Sequence, residues 1–389
     1  MTNEQNKSDI AIKDVNVTKI SVQTHAEYMD HETVYKIHAP IQNVIAFIGI
    51  HSTALGPSLG GIRYKHYQTE EEALGDVLRL SEAMTWKNAA GALNHGGGKG
   101  VVMAPDKNSR TPDQETLDVI AHGLNIINED GPVYFGAEDM NFNEATLDYI
   151  AETAPWIKGV TSDDPSVVSG TPSPLTAIGV FECIKIAAQH KLGKNSLEGI
   201  RISMQGLGAV GGALAELLHK DNAILMGCDM ADSVFDDLAA DGVTIERVGL
   251  DDIYDVQADI FAPNAIGGTL TDDNIHKLKA AGIQIVCGAA NNQQQDQIGG
   301  AQSRLMHELG ILYCPDYIVN AGGVIWVAMV GQDAKTVTAD ITAGVPKRFE
   351  DVLKLHEQQP EKDLGSIALD YAQKRVQNAK ERSGERKTG

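Results

Sequence analysis

Two lysines stand twelve positions apart in the stretch Met84-Thr-Trp-Lys87-Asn-Ala-Ala-Gly-Ala-Leu-Asn-His-Gly96-Gly97-Gly98-Lys99. Their company is apolar and glycine-rich. A lysine stripped of water loses proton affinity and becomes a base near neutral pH, and a second cation nearby drives its pKa lower still. Lysine also holds a carboxylate as a point charge. Glycines let a ligand or a neighbouring backbone come close. A phosphate-binding P-loop does not fit, because Leu93 stands where glycine is needed and Gly100 where Ser or Thr is needed. On residue types alone, two exposed lysines beside a flexible loop explain the stretch equally well. The acids Glu138 and Asp139 follow the apolar run Val133-Tyr134-Phe135. Acids at a strand end suit a binding site, and they suit a solvated turn as well.

A second constellation is Gly206-Leu207-Gly208-Ala209-Val210-Gly211, with Asp229 placed 23 residues after Gly206. A GxGxxG alone is weak. Here it follows a strand, opens a helix and precedes a second strand that ends in an acid, which is the dinucleotide fingerprint. Gly206 allows the tight turn, Gly208 lets a pyrophosphate approach the backbone, and Gly211 lets helix and sheet pack closely. The helix N-terminus offers N–H groups and a positive dipole end to phosphate. Asp229 accepts hydrogen bonds from ribose hydroxyls and repels a 2′-phosphate, and Met230-Ala231-Asp232 offers no arginine to bind one. The expected cofactor is therefore NAD.

The elements that position these residues read as α/β. Apolar runs at Thr33–Ile37 and Asn43–Ile50 are strands, and helical spacing covers Thr69 to Met84. The glycine cluster at Gly96–Gly100 leads into a strand at Val101–Met103, followed by a helix from Pro112 to about Asn128. The Asp-, Pro-, Ser- and Gly-rich segment from Asp163 to Thr171 reads as a linker. Beyond it, a helix from about Pro174 to His190 leads to a strand at Ile200–Gln205, the glycine turn Gly206–Gly212, a helix Ala213–His219 and a strand Ala223–Cys228. Further strands are expected at Asp259–Ala262, Ile283–Cys287 and Tyr317–Val319. Alternating strands and helices imply a parallel sheet with right-handed crossovers. The first dozen residues read as frayed, and the chain from about Thr336 as helical with a basic tail.

Length and composition bound the rest. At 389 residues the chain is long enough for two domains. Lys and Arg number 32 against 53 Asp and Glu, a net charge of −21, which disfavours nucleic-acid and anionic-membrane partners. No run of apolar residues is long enough to span a membrane, and the N-terminus lacks a signal-peptide pattern. Cys183, Cys228, Cys287 and Cys314 are widely spaced, which suggests reduced, buried thiols, a cytoplasmic setting and no metal site.

Taken together, the motifs GPSLGGIR (Gly56–Arg63), MTWKNAAGALNHGGGKG (Met84–Gly100), AEDM (Ala137–Met140), SGTPSPLTA (Ser169–Ala177), QGLGAVG (Gln205–Gly211), APNAIGG (Ala262–Gly268), GAANNQ (Gly288–Gln293) and PDYIVNAGGV (Pro315–Val324) stand in the order of a known family. The chain resembles the amino acid dehydrogenases acting on glutamate, leucine, phenylalanine and valine, and it is most similar to the leucine members. The resemblance implies that Lys87 binds the substrate α-carboxylate, that Lys99 activates water, and that Asp139 exchanges protons with the substrate nitrogen. It implies Gly60, Gly61, Met84, Ala137, Asn320 and Val324 around the substrate, with Thr176, Ala289, Asn291 and again Asn320 near the nicotinamide and its ribose. Leu59 and Val327 match positions that are lysine and serine in the glutamate enzymes. Two apolar residues there leave a buried side-chain carboxylate without a partner, so an apolar side chain is expected.

The chain departs from the leucine members at Thr171, Asn264, Trp326, His95 and Gly100. The expected architecture is an α/β substrate domain over residues 1–162 and a Rossmann-type, doubly wound NAD-binding domain over 163–340, with helices of 341–389 packing back on the first. The expected activity is NAD-dependent oxidative deamination of an apolar, branched-chain L-amino acid by a homo-oligomer, dimer or octamer. An aromatic (Phe or Trp) amino acid dehydrogenase and a weakened paralogue that only binds amino acid and NAD are the alternatives. Pure binding does not need a base of lowered pKa, which weighs against the latter.

Overall fold

Strand β3 (Val44–Ser52) alternates its apolar residues between two cores, with Ala46, Ile48 and Ile50 on one face and Phe47 on the other. A strand that is apolar on both faces must lie inside a sheet covered on both sides. The computed structural model, which describes residues 14–295 and 299–387, places it there. The expected fraying of the first dozen residues lies outside the described residues. Two compact units are present: the described residues up to Ala89, Asn94–Asp163 and those from Ala379 onward form the first, and Ala90–Leu93 with Asp164–Asn378 form the second.

In the first unit, strands β1 (Asn16–Ile20), β2 (Thr33–Ala39), β3, β4 (Ser58–Lys65), β5 (Gly96–Met103) and β6 (Tyr134–Ala137) form one sheet in the order β1-β2-β3-β5-β4-β6. The pairings from β1 through β5 are antiparallel, and β4 runs parallel to β5 and β6. Helix α1 (Glu70–Ala90) covers one face through Ala73, Val77 and Leu78. Helices α2 (Gln114–Ile127) and α3 (Glu144–Ala151) cover the other. Asp113 caps α2 by accepting from the Thr116 N–H, and Asn143 caps α3 by accepting from the Thr146 N–H.

The glycine cluster, expected to lead into a strand at Val101–Met103, is itself part of that strand. Glycine is depleted in strands because it packs nothing, so its presence marks close backbone approach. A Cβ on Gly97 would lie 2.1 Å from both the backbone nitrogen and Oγ1 of Thr85 in α1. On Gly96 it would lie 1.9 Å from the Ser52 carbonyl oxygen. The helix therefore rides directly on the strand's backbone. Gly97→Ala should destabilise the protein by about 1–3 kcal/mol or more, because backbone on both sides must shift. A denaturant midpoint equal to wild type would contradict the contact.

In the second unit, α4 (Ser173–Leu192) precedes β7 (Arg201–Gln205), α5 (Ala209–Lys220), β8 (Ile224–Cys228), α6 (Ser233–Ala240) and β9 (Ile245–Arg247). Then come β10 (Ile260–Pro263), α7 (Asp272–Ala280), β11 (Ile285–Val286), α8 (Ala301–Glu308) and β12 (Leu312–Tyr313). The sheet is wholly parallel, in the order β12-β11-β10-β7-β8-β9. Chain order reverses at β7, which makes the carboxyl end of β7 the topological switch point. The expected strand at Tyr317–Val319 is instead the short helix α9 (Asp316–Val319) that Pro315 introduces, and the strand lies earlier, at Leu312–Tyr313. Proline suits the start of a helix, where no N–H is needed.

Helices α10 (Ala321–Ala328), α11 (Ala334–Gln358) and α12 (Leu364–Lys387) complete the chain. Of the C-terminal segment expected to pack on the first domain, residues through Asn378 group with the second unit and those from Ala379 onward with the first. The cause is the apolar stripe Val337, Ile341, Val345, Phe349 and Val352, buried along α11. It meets α4 at a site without side-chain bulk, where a Cβ on Gly179 would lie 3.3 Å from Val345 Cγ1.

Candidate active site

Lys99 projects from the middle of the sheet and is only 4% exposed. Its Nζ donates to Oδ2 of Asp139, which follows β6. The other carboxylate oxygen of Asp139 accepts from Arg63 Nε at 2.9 Å and from the Met140 N–H at 2.6 Å. Arg63 stands on β4, which runs between β5 and β6, so three adjacent strands deliver the two cations and the carboxylate to one place.

The electrostatics follow from burial and these neighbours. Burial lowers the pKa of Lys99; Asp139 opposes this, Arg63 reinforces it, and the net direction is down from the ordinary 10.5. Burial pushes Asp139 up, but Lys99 and Arg63 overcome it and hold the carboxyl at about 2. The pair is thus a carboxylate that stays ionised and a lysine whose proton is loosely held. Arg63 was not singled out as a site residue from sequence, although it closes the Gly56–Arg63 motif. Its isolated position gives no hint of two carboxylate partners.

Lys87 lies in the last turn of α1 and is partly buried. Gly60 and Gly61 are buried on β4. A Cβ on Gly60 would lie 1.8 Å from the Gly98 carbonyl oxygen and 3.3 Å from Met84 Cγ, and one on Gly61 would lie 2.8 Å from Asp139 Cβ. Ala137, 7% exposed, pairs with Gly61. Leu59 is 1% exposed, with its carbonyl accepting from Asn88 Nδ2 at 3.0 Å.

The second unit carries the glycine fingerprint at its switch point. Gly206 has φ +92°, a conformation that L side chains rarely adopt. Gly208 caps α5 with no side-chain hydrogen bond, and a Cβ there would meet nothing within 4 Å. A Cβ on Gly211 would lie 2.1 Å from the Gly206 carbonyl oxygen. Buried Leu207 donates its N–H to Asp229 at 2.7 Å, and Ala231 donates to the other oxygen at 2.9 Å. Ala209 and Val210 form the open first turn of α5.

Asn320, 3% exposed, donates Nδ2 to the Ala289 carbonyl at 3.1 Å and to Asn291 Oδ1 at 2.9 Å. Its Oδ1 is buried without a partner. Thr176, on α4, donates to the Pro172 carbonyl at 3.0 Å. An uncapped helix start with open space at Gly208, a carboxylate at the end of β8 and a buried amide oxygen awaiting a donor fit a dinucleotide with a carboxamide.

On α10, Val324 and Val327 are partly exposed and three residues apart, hence on one side of the helix. Trp326 is 8% exposed and donates Nε1 to the Ser169 carbonyl at 3.1 Å, so its ring is tied inside its own unit. Asn264 bridges locally, accepting the Ala289 N–H at 2.9 Å and donating to the Ala262 carbonyl at 3.0 Å. A second arginine absent from the sequence reading is Arg247 on β9. It bonds Asp232, three residues past Asp229, and lies over the Phe235 ring. Among the described residues no group of His, Cys, Asp and Glu could hold a metal ion.

Comparison with known proteins points the same way. A model described as the Glu/Leu/Phe/Val dehydrogenase dimerisation domain matches residues 31–156, and one described as Glutamate/Leucine/Phenylalanine/Valine dehydrogenase matches residues 230–384. Leucine dehydrogenase of Geobacillus stearothermophilus is 40% identical over 305 residues, 78% of this chain and 79% of that one. Phenylalanine dehydrogenase of Lysinibacillus sphaericus is 39% identical over 303 residues, 77% and 76% of the two chains. The crystal structure of L-tryptophan dehydrogenase from Nostoc punctiforme superposes with a TM-score of 0.76 at 30% identity, covering 90% of this chain and 97% of that one.

Proposed function

The chain belongs to the Glu/Leu/Phe/Val dehydrogenase family of amino acid oxidoreductases, and from that premise we propose that it catalyses the NAD-dependent oxidative deamination of an apolar, branched-chain L-amino acid to its 2-oxo acid and ammonia. The observation that carries this reading is the buried Lys99 held against Asp139. When bound, the nicotinamide accepts the hydride of the substrate α-carbon. Lys87 holds the α-carboxylate as a point charge. Lys99 in its neutral form takes a proton from the water that adds to the resulting imine carbon. Asp139, ionised throughout, passes protons to and from the substrate nitrogen until ammonia departs. Gly206–Gly211 and the α5 N-terminus hold the pyrophosphate, Asp229 the adenosine ribose, and Asn320, with Thr176, Ala289 and Asn291, the nicotinamide half.

The aromatic alternative draws on the phenylalanine relative, whose identity to this chain approaches that of the leucine enzyme, and on the tryptophan relative, which superposes over 90% of this chain. Trp326 does not count against it, since its ring is anchored to Ser169 rather than presented beside Val324 and Val327. A binding-only protein has no use for a lysine of depressed proton affinity. The deciding experiment follows reduced-cofactor absorbance with each of the twenty amino acids. Leu, Ile or Val should lead. A lead for Phe or Trp selects the aromatic reading, and no turnover with any overturns both.

Cofactor choice is the second expectation. Asp229, at the end of β8, would repel a 2′-phosphate, and Arg247 on β9 is engaged by Asp232. NAD should exceed NADP in kcat/KM by more than about tenfold, ~1.4 kcal/mol. Parity between the two would show that Asp229 does not read the ribose. The buried, unpaired cysteines accord with a cytoplasmic setting. No described helix is long and apolar enough to cross a membrane. The dimerisation-domain match supports a homo-oligomer.

A further inference from the structure

Asp139 does not meet Arg63 alone. The guanidinium bridges two carboxylates, giving Nε to Asp139 at 2.9 Å and Nη1 to Asp76 Oδ2 at 3.0 Å. Asp76 lies on α1 and is 7% exposed. It also accepts from the Tyr67 hydroxyl at 2.6 Å and from Arg79 Nη2 at 2.5 Å. A carboxylate this buried is costly unless paired on both oxygens, and here both are. The arrangement is a relay of charges from helix to sheet: Arg79 and Tyr67 to Asp76, Asp76 to Arg63, Arg63 to Asp139, Asp139 to Lys99.

We propose that Asp76, acting through Arg63, is a positioning residue that fixes the rotamer of Asp139 and sets the charge balance around Lys99. The proposal rests on the reading of Lys99 as the base of the deamination. A bidentate-capable guanidinium held at one end by Asp76 leaves Nε aimed at one Asp139 oxygen, so the other oxygen faces Lys99. Without Asp76, Arg63 keeps its full charge for Asp139 and Lys99, and its direction is no longer dictated.

The other ionisable groups around the pair come from the remaining elements. Tyr134 on β6 is fully enclosed, with its hydroxyl donating to the Gly60 carbonyl at 2.7 Å, and burial keeps it neutral. Glu138 follows β6 and is pushed upward by burial, then by Glu144 and Asp139. Lys87 lies further along α1. None of these bridges Arg63, which leaves Asp76 as its counterweight.

The signs are opposite for the two partners. Asp76 raises the proton affinity of Lys99 and Arg63 lowers it. In oxidative deamination the rate rises as Lys99 loses its proton, so the acid limb of the kcat–pH profile follows Lys99. Asp76→Asn is nearly isosteric and still accepts from Tyr67. It should move the acid limb to lower pH by about half a unit or more and lower kcat, with KM for the amino acid little changed. Arg63→Gln should move the limb to higher pH. A merely structural role would lower melting temperature or activity without opposed shifts. An unmoved limb in a folded Asp76→Asn enzyme, or a limb moved upward, overturns the inference by itself, whatever becomes of Arg63→Gln. Lys99→Ala run alongside separates the two levels: if it keeps substantial activity the base assignment fails, and if it is inactive while Asp76→Asn leaves the limb in place only the positioning role fails.

Discussion

Lys99→Ala abolishes turnover and leaves dinucleotide binding intact. The expected loss in kcat is roughly 10²- to 10⁴-fold, the usual contribution of a positioned acid–base group. Lys99 is in the first unit and the glycine fingerprint in the second, so the substitution touches no residue assigned to the cofactor. Asp139 keeps Arg63 as a partner at 2.9 Å and is not left as an uncompensated buried charge. The fold is therefore expected to survive. Binding of NAD followed by protein fluorescence, with single-turnover kinetics on the same sample, checks both halves. Retention of more than about a tenth of wild-type kcat, a barrier change below ~1.4 kcal/mol, would remove Lys99 from the base role. In the wild type, activity should rise with pH through a value below the usual lysine range, because burial and Arg63 together outweigh Asp139.

The second large effect is discrimination against glutamate. Leu59 is fully buried on β4, and Val327 is apolar on α10. Neither offers a donor to a side-chain carboxylate. An unpaired buried charge is disfavoured far more strongly than a misfit of one methylene, which is worth about 1–3 kcal/mol. Rejection of glutamate should thus exceed any preference among Leu, Ile and Val. The measurement is kcat/KM for Leu, Val, Phe, Trp and Glu with wild type and with Leu59→Lys. Efficient turnover of glutamate by the wild type would show that these positions do not face the substrate side chain.

The parts of the fold that could be read beforehand were those whose function imposes a local pattern. The glycine fingerprint between two strands is one, because turn, phosphate approach and helix packing each demand glycine at a stated spacing. The structure gives Gly206 φ +92° and leaves only 2.1 Å between a Cβ added at Gly211 and the Gly206 carbonyl oxygen. What escaped was set by contacts distant in sequence. Gly96–Gly98 suits a flexible loop before the strand until α1 is laid against Gly97. Arg63 reads as an ordinary strand arginine until Asp76 and Asp139 flank it. Arg247, on β9, lies 15 residues from its partner Asp232, which stands at the start of α6. An apolar triplet such as Tyr317–Val319 suits a buried strand or one helical turn equally, and Pro315 before it starts the helix. The long stripe on α11 was legible as a helix face, but nothing in its own sequence named α4 as its partner.

The seating of α1 on the bare backbone of Gly97 has a consequence for the timing of entropy loss. A free lysine side chain gives up about 1.5–2 kcal/mol of rotamer freedom when it is immobilised. Here that loss falls during folding, as the helix closes on the strand that carries Lys99 and as Asp139 receives the ammonium. With Lys99 as the proposed base, no search for a competent lysine conformation would be left for each catalytic cycle. The glycines that give the strand no side-chain packing of its own would thereby transfer the disorder of the proposed base out of the reaction and into the act of folding.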